Sequence, residues 1–266
     1  MTAPCPKGDI RDTADTPQSL LITGASGGLG RALALHHAKP ATVLHLWGRD
    51  EERLAETACA ARNAGAMTQL TCMDLRDTEA AVREMLEQDR AAEFDMAYFV
   101  AGTGEIRAEN AIIDDPDLVL RALQTNCVAP AAMGAALAQG MCLRGRGRIV
   151  MIGSAAAHHS LPFAASYAGS KAGLARFTDA MRLAVKPYGV SITLAEPGFI
   201  DTPAARAISP DRPLQISPEV AARRIARAAM QGRPRLVTPW PFAVVQKIDA
   251  LLPRIARDYM LSRLKP

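Results

Sequence analysis

Aromatic side chains are scarce in this 266-residue chain, 5% of the total, although 49% of its residues are hydrophobic. Ala, Gly and aliphatic residues therefore carry the apolar mass, which suits close packing of helices on a sheet and argues against disorder. Cysteine pairing is lacking too. Cys5, Cys59, Cys72, Cys127 and Cys142 are odd in number and form no C-x-x-C, which fits reduced thiols in the cytoplasm better than a disulfide framework or a zinc site. The formal charge of +4 is too mild to point to nucleic acid. Residues 1–18 carry Pro4, Pro6 and Pro17 but no apolar run, and read as a flexible leader rather than a secretory signal. The most membrane-like stretch, 127–143, is short of a span and contains Pro130, Gly134, Gln139 and Gly140; a buried or interfacial Ala-rich helix is the expectation. With no fixed repeat and no dividing linker, one domain is expected, built on 19–239 with an amphipathic helical extension at 240–266.

Charge is spread unevenly. Residues 221–266 hold ten Lys or Arg against two Asp, a balance of +8, which leaves −4 for the first 220. In 240–264, Val244, Ile248, Leu251, Leu252, Ile255 and Tyr259 fall on one helical stripe with Arg254 and Arg257 off it, and Pro253 is expected to kink or split the helix. Upstream, strand-like runs at 20–23, 43–47, 68–73, 96–100, 149–153, 191–195 and 235–237 alternate with helix-length segments near 29–38, 50–64, 77–91, 115–143, 164–187 and 217–231. Such alternation predicts an α/β fold, a mostly parallel seven-stranded sheet with helices on both faces. Residues 201–213, with Pro203, Pro210 and Pro213, interrupt it and are expected to form a mobile cover.

The first strand runs directly into Gly24-Ala25-Ser26-Gly27-Gly28-Leu29-Gly30 and then a helical segment. Glycines there let the backbone approach a pyrophosphate, and the helix N-terminus offers its free N–H groups to the anion. No Gly-Lys-Ser/Thr follows, which excludes a P-loop. Further along, Tyr167 and Lys171 stand at i and i+4, one helical face. A phenol titrating near ~10 is a poor proton shuttle, and an ammonium beside it stabilises the phenolate, so the pair makes a workable general acid/base. Ser154 ends the fifth strand, where its hydroxyl can bond a substrate oxygen. Asn126 lies inside a long helix, where a polar side chain is unfavourable unless it has work to do or bends the helix. The turn 197–202 follows the sixth strand, at the edge where open α/β sheets bind ligands.

Together these residues resemble the short-chain dehydrogenase/reductase family over 19–237. Gly24, Gly28 and Gly30 fit the T-G-x-x-x-G-x-G of its compact branch, and Gly24, Gly27 and Gly30 fit the G-x-x-G-x-x-G of its longer branch; the chain has little room for the longer branch's extra domain. The resemblance implies a Rossmann-type fold and a catalytic set of Asn126, Ser154, Tyr167 and Lys171. Tyr167 is then the proton donor and acceptor, and Lys171 holds the nicotinamide ribose and lowers the Tyr167 pKa. Ser154 orients the substrate oxygen, and Asn126 holds a water in the proton relay. It further implies coenzyme contacts from Gly24, Ser26, Gly28, Leu29 and Gly30, from Asp74 and Leu75 at the adenine, from Ala101 and Gly102, and from Pro197, Gly198, Ile200 and Thr202 at the carboxamide. The family's Asn-Ala-Gly is replaced by Val100-Ala101-Gly102, which removes a side-chain hydrogen bond that supports the sheet.

The second strand ends Gly48-Arg49-Asp50. The family resemblance puts the acidic slot of NAD enzymes on Gly48 and the basic, 2′-phosphate slot of NADP enzymes on Arg49. Spacing, about 20 residues past Gly30, nominates Asp50 for an NAD ribose, but Asp50 suits the N-cap of the next helix, so NADP(H) is favoured over NAD(H). No basic residue precedes the middle glycine, where Gly27 stands. His36, His37 and His45 lack metal-ligand spacing and are expected to pack or face solvent, so no metal is expected. His158 and His159 lie in the loop between Ser154 and Tyr167, with solvation expected first and substrate contact second. Arg223, Arg224 and Arg227 read as a solvated helix face. The expectation is a cytoplasmic oxidoreductase acting on a small carbonyl or alcohol, assembled as a homodimer or homotetramer through helices 115–143 and 164–187, with Ala131, Ala132, Ala135, Ala136 and Ala138 as the small apolar face. Two other readings stand beside it: a catalytically silent NADP-binding sensor, which has no need of a proton shuttle, and an added peripheral membrane contact through the basic C-terminus.

Overall fold

The computed structural model describes residues 17–108, 110–208 and 212–263. Residues 1–16 of the leader lie outside them, as do 209–211 of the expected cover and 264–266. Short runs of wholly buried apolar residues make the central strands, as a sheet covered on both faces demands: β1 (Ser19–Thr23), β4 (Met96–Phe99) and most of β6 (Val190–Pro197). With β2 (Val43–Gly48), β3 (Met67–Cys72), β5 (Gly147–Ile152) and β7 (Arg235–Thr238) they form one seven-stranded sheet in the order β3-β2-β1-β4-β5-β6-β7, with all neighbours parallel. Each expected strand is present, its ends displaced by at most two residues. Chain order reverses between β1 and β4, and at their carboxyl ends this Rossmann-type sheet opens a crevice.

The first helices are punctuated by their caps. α1 (Gly28–His37) follows the glycine turn, and α2 (Glu51–Asn63) starts at Asp50, which accepts from the Arg53 amide at 3.0 Å as expected. α3 (Thr78–Ala92) is capped by Asp77. The long helix at 115–143 is three pieces in one run: α4 (Pro116–Leu123), a π-helical turn (Gln124–Val128) and α5 (Ala129–Arg144). The run 116–144 is long and apolar enough to cross a membrane by composition, yet Met133, Leu137, Ala138 and Met141 are buried in the protein core. Ala138 therefore faces the core, correcting its placement on the assembly face; helical phase puts Ala131, Ala132, Ala135 and Ala136 on the half-buried side.

α6 (Ala165–Val185) packs beside α5, and α8 (Pro218–Met230) beside α1. In the segment 201–213, Pro203–Ile208 form a short helix, α7, where a mobile cover was expected. Pro253 splits the extension into α9 (Pro241–Leu251) and α10 (Arg254–Leu261). Buried side chains fill both faces of the sheet, one cluster under α1, α2 and α8 and the other under α3, α5 and α6.

Candidate active site

The glycine turn is built by close backbone approach. Gly24 has φ +68°, and a Cβ there would lie 2.8 Å from both N and Cα of Ala101 at the end of β4. A Cβ on Gly30 would overlap the Gly24 carbonyl, and one on Gly28 would strike the Thr202 side chain. Gly28 and Gly30 open α1, and Gly27 is its N-cap with no side-chain cap. The helix thus presents N–H groups that no capping side chain accepts, which is what an anion needs. Ser26 lies against Gly48 at the end of β2.

The backbone at Val100, which stands where the family has asparagine, is tied to the neighbouring strand. Buried Thr23 Oγ1 accepts from the amides of Val100 (3.0 Å) and Ala101 (3.3 Å) and donates to the Tyr98 carbonyl at 3.4 Å. Thr23 is the threonine that opens the T-G-x-x-x-G-x-G pattern, but the pattern does not show which backbone groups its hydroxyl serves.

Asn126 sits fully buried in the π-helical turn. Its Nδ2 donates to the Thr103 carbonyl (2.9 Å) and to Ser170 Oγ (3.1 Å), while Oδ1 accepts from the Thr103 amide at 2.8 Å. The helix widens where this side chain must reach across to the loop after β4, a common use of a π turn at functional sites. Asn126 thus sits at an irregularity of the helix, as the bending reading expects.

β5 ends at Ile152, and its carbonyl accepts from the buried Lys171 Nζ at 2.8 Å. Two residues on, Ser154 caps a 3₁₀ turn (Ala155–His158) through the Ala156 amide and is hydrogen-bonded to Tyr167. Tyr167 lies in the first turn of α6. Buried Asp114, from the loop before α4, secures that helix end by accepting from the Ser166 amide at 2.6 Å. A Cβ on Gly102 would lie 2.9 Å from Asn126 Oδ1 and 3.4 Å from Lys171 Nζ, so the loop after β4 runs directly over the pair. Asn126, Ser154, Tyr167 and Lys171 thus converge at the carboxyl ends of β4 and β5.

Burial pushes the Tyr167 phenol above its ordinary value, and the hydrogen bond with Ser154 pulls it back. Burial lowers the Lys171 ammonium from 10.5 to about 8. The Lys171 ammonium donates to the Ile152 carbonyl, and the hydroxyl that pulls the phenol back is that of Ser154.

Around this centre, Arg49 is exposed after β2, and its charge contributes to holding the Asp74 carboxyl below its usual range. The larger cause is Arg76, whose guanidinium binds Asp74 at 2.6 and 2.9 Å, a partner the sequence reading missed. Leu75 is buried. Beyond β6, Pro197 leads to Gly198, whose amide donates to the Thr238 carbonyl at 2.8 Å and whose α-carbon lies under the Phe242 ring. Ile200 bridges to Ile216, and Thr202 accepts from the Ala205 amide at the start of α7.

The two loop histidines are half-buried, and each meets a buried carboxylate that the sequence reading did not foresee. His158 Nε2 lies 2.8 Å from Glu196 Oε1, and the same buried carboxylate meets Arg235 Nε at 2.8 Å. His159 lies 3.3 Å from the buried Asp249 carboxylate of α9. Both acids are distant in sequence, so spacing could not announce them. His37 bonds the Tyr98 hydroxyl at 2.8 Å and His45 contacts Gln88, both as packing residues. Arg223, Arg224 and Arg227 form an exposed face of α8, with Arg224 reaching Thr238 at 2.9 Å.

A nicotinamide coenzyme fits this crevice on two observations: the glycine cradle at Gly24, Gly28 and Gly30, and the uncapped start of α1.

Residues 18–213 match the family described as short chain dehydrogenase. Dehydrogenase/reductase SDR family member 7B of Bos taurus is 34% identical over 194 residues, 69% of this chain and 58% of the bovine one, so the match spans little more than half of that relative. Epidermal retinol dehydrogenase 2 of Mus musculus is 30% identical over 242 residues, covering 88% of this chain and 78% of its own. Among solved structures, the short-chain dehydrogenase from Sphingobium yanoikuyae in complex with NADPH superposes with a TM-score of 0.75 at 23% identity, over 93% of this chain and 96% of that one. The short chain dehydrogenase from Mycobacterium paratuberculosis bound to NAD gives 0.71 at 20% identity, over 83% and 95%.

Proposed function

The chain belongs to the short-chain dehydrogenase/reductase family, and we propose that it is an NADP(H)-dependent oxidoreductase interconverting a carbonyl and an alcohol in the cytoplasm. The convergence of Ser154, Tyr167, Lys171 and Asn126 beside the glycine turn carries this reading. The glycine turn would hold a nicotinamide coenzyme, whose chemistry would be hydride transfer. The protein's part is to hold the substrate oxygen and to move one proton. Ser154 Oγ donates to the carbonyl oxygen and fixes its position next to the Tyr167 hydroxyl. Tyr167 passes its phenolic proton to that oxygen during reduction and recovers one during oxidation. Lys171, cationic at neutral pH, binds the ribose and keeps positive charge near the developing phenolate.

Asn126 has both Nδ2 hydrogens committed, to Thr103 and Ser170, leaving only the second lone pair of Oδ1. It therefore holds a relay water as an acceptor, never as a donor. Arg49 supports NADP over NAD, because an exposed guanidinium at the end of β2 matches a 2′-phosphate. Leu29 and the remaining turn residues would hold the pyrophosphate through their backbone, Asp74 and Leu75 the adenine, and Ile200 and Thr202 the carboxamide. The half-buried Ala131, Ala132, Ala135 and Ala136 support a homodimer or homotetramer, checked by the mass from light scattering at micromolar concentration.

Wild-type protein assayed against a panel of ketones with NADPH, and of alcohols with NADP, tests the function. Turnover on members of the panel is expected. Tight NADPH binding without turnover anywhere on it would replace the enzyme with the silent sensor.

A further inference from the structure

α9 is amphipathic in the inverted sense. Its inner face carries Asp249 against His159 of the loop before Tyr167, and Phe242 against Gly198 of the turn after β6. Its outer face is apolar: Trp240, Val244, Ile248 and Leu251 recur at helical spacing and are 73%, 44%, 53% and 84% exposed. α10 continues the stripe beyond Pro253 with Ile255 at 86% and Tyr259 at 60% exposed. Exposed apolar residues recurring along two successive helices call for a partner. Its margins are cationic. Lys247 flanks it on α9, and the Arg263 guanidinium stacks 4.1 Å from the centre of the Tyr259 ring. The acids of this segment are otherwise engaged, Asp249 facing inward and Asp258 lying 3.6 Å from Arg254.

We propose that the outer face of α9 and α10 docks on an anionic lipid bilayer. Helices lying in the interface plane have this construction: an apolar face sunk to the headgroup boundary, basic residues along the rim, and Trp and Tyr at the junction of lipid and water. Basic side chains at the margin reach headgroup phosphates while their stems stay on apolar surface. A second copy of the chain is the poorer occupant, since a two-fold interface sets the same cationic rim against itself. Because the inner face of α9 touches both the loop before Tyr167 and the Gly198 turn, docking places the site beside the bilayer. On the enzymatic reading above, and only on it, an apolar carbonyl dissolved in lipid is then the substrate class.

The full chain is floated with vesicles of phosphatidylcholine alone and of phosphatidylcholine with roughly 30% phosphatidylserine, at low and high salt. Binding to the anionic vesicles is expected, weakening with salt, together with a blue shift of Trp240 emission; the other tryptophan, Trp47, is already buried. Leu251→Asp with Ile255→Asp lowers vesicle affinity at least about tenfold, and Lys247→Glu lowers it about fivefold. Both variants keep wild-type coenzyme binding and wild-type turnover of water-soluble ketones. Absence of vesicle binding at low salt overturns the proposal, as does binding that the double variant leaves intact. A wild type that ignores vesicles but is split from dimer to monomer by the double variant gives the face to a second copy and overturns it too. Vesicle binding without turnover of any ketone removes the enzymatic reading and leaves the docking surface standing.

Discussion

Replacing Thr23 by Val keeps the shape of the side chain and removes its hydroxyl. In the native protein that hydroxyl accepts from the amides of Val100 and Ala101 and donates to the Tyr98 carbonyl. Valine leaves two N–H groups without their acceptor in a crowded junction. Each orphaned amide costs about 1–3 kcal/mol when buried. Val100 and Ala101 are only half-buried, so the lower end applies, and the loss is about 2–3 kcal/mol for the pair. No cavity term enters, because the volume is conserved. Urea unfolding of Thr23→Val against wild type measures the loss, with the slope m unchanged and the midpoint lowered. Thr23→Ser keeps the acceptor and loses only a methyl group, and is expected to cost about 1 kcal/mol or less. Coenzyme affinity falls as well in Thr23→Val, since Gly24 is held against the Ala101 backbone by the same junction. A Thr23→Val variant within about 0.5 kcal/mol of wild type, or a Thr23→Ser variant equally damaged, refutes the role of the hydroxyl.

Two further predictions use the same geometry. Arg49→Ala is expected to weaken NADPH binding about ten- to a hundredfold, the worth of a charge-assisted contact of roughly 1.5–3 kcal/mol, while NADH binding is little changed; equal losses for both coenzymes in titration would remove Arg49 from the 2′-phosphate. Lys171 predicts a pH-dependent stability. Its folded pKa of about 8 lies below the ordinary 10.5, so burial of the charge penalises the coenzyme-free protein at pH values below 8. As pH rises from about 8 towards 10 the folded state gives up the proton first and that penalty, at most about 3 kcal/mol, is progressively relieved. Urea unfolding at several pH values should show wild-type stability gaining on Lys171→Met across that window, and parallel curves would contradict the lowered pKa.

The strand pattern was legible because a parallel sheet buried on both faces writes itself as short apolar runs, and the glycines because three close approaches converge within seven residues. Tyr167 and Lys171 stood out by their spacing of one helical turn and Ser154 by its place at a strand end, and the family resemblance joined Asn126 to them. Asp50 and Pro253 did what local rules require of an N-cap and a helix breaker. What the sequence concealed depends on partners far along the chain. Glu196 and Asp249 claim His158 and His159 across 38 and 90 positions, and Thr23 stands 77 residues from the amide it serves. The π turn was hidden because nothing local marks it, and the partners of its Asn126, Thr103 and Ser170, are distant in sequence. For α9, the periodicity revealed an apolar stripe but not that the stripe faces outward, because nothing local shows that Asp249 is the residue turned inward.

Tyr167→Phe tests the central claim most directly, since it removes one transferable proton and the hydrogen bond with Ser154 and little else. On the best substrate of the panel, turnover should fall by at least ~10²-fold, the lower bound of what general acid–base catalysis supplies, while NADPH affinity stays within about twofold of wild type. A variant that keeps most of its turnover would contradict the assignment of Tyr167 as proton donor, and with it the mechanism.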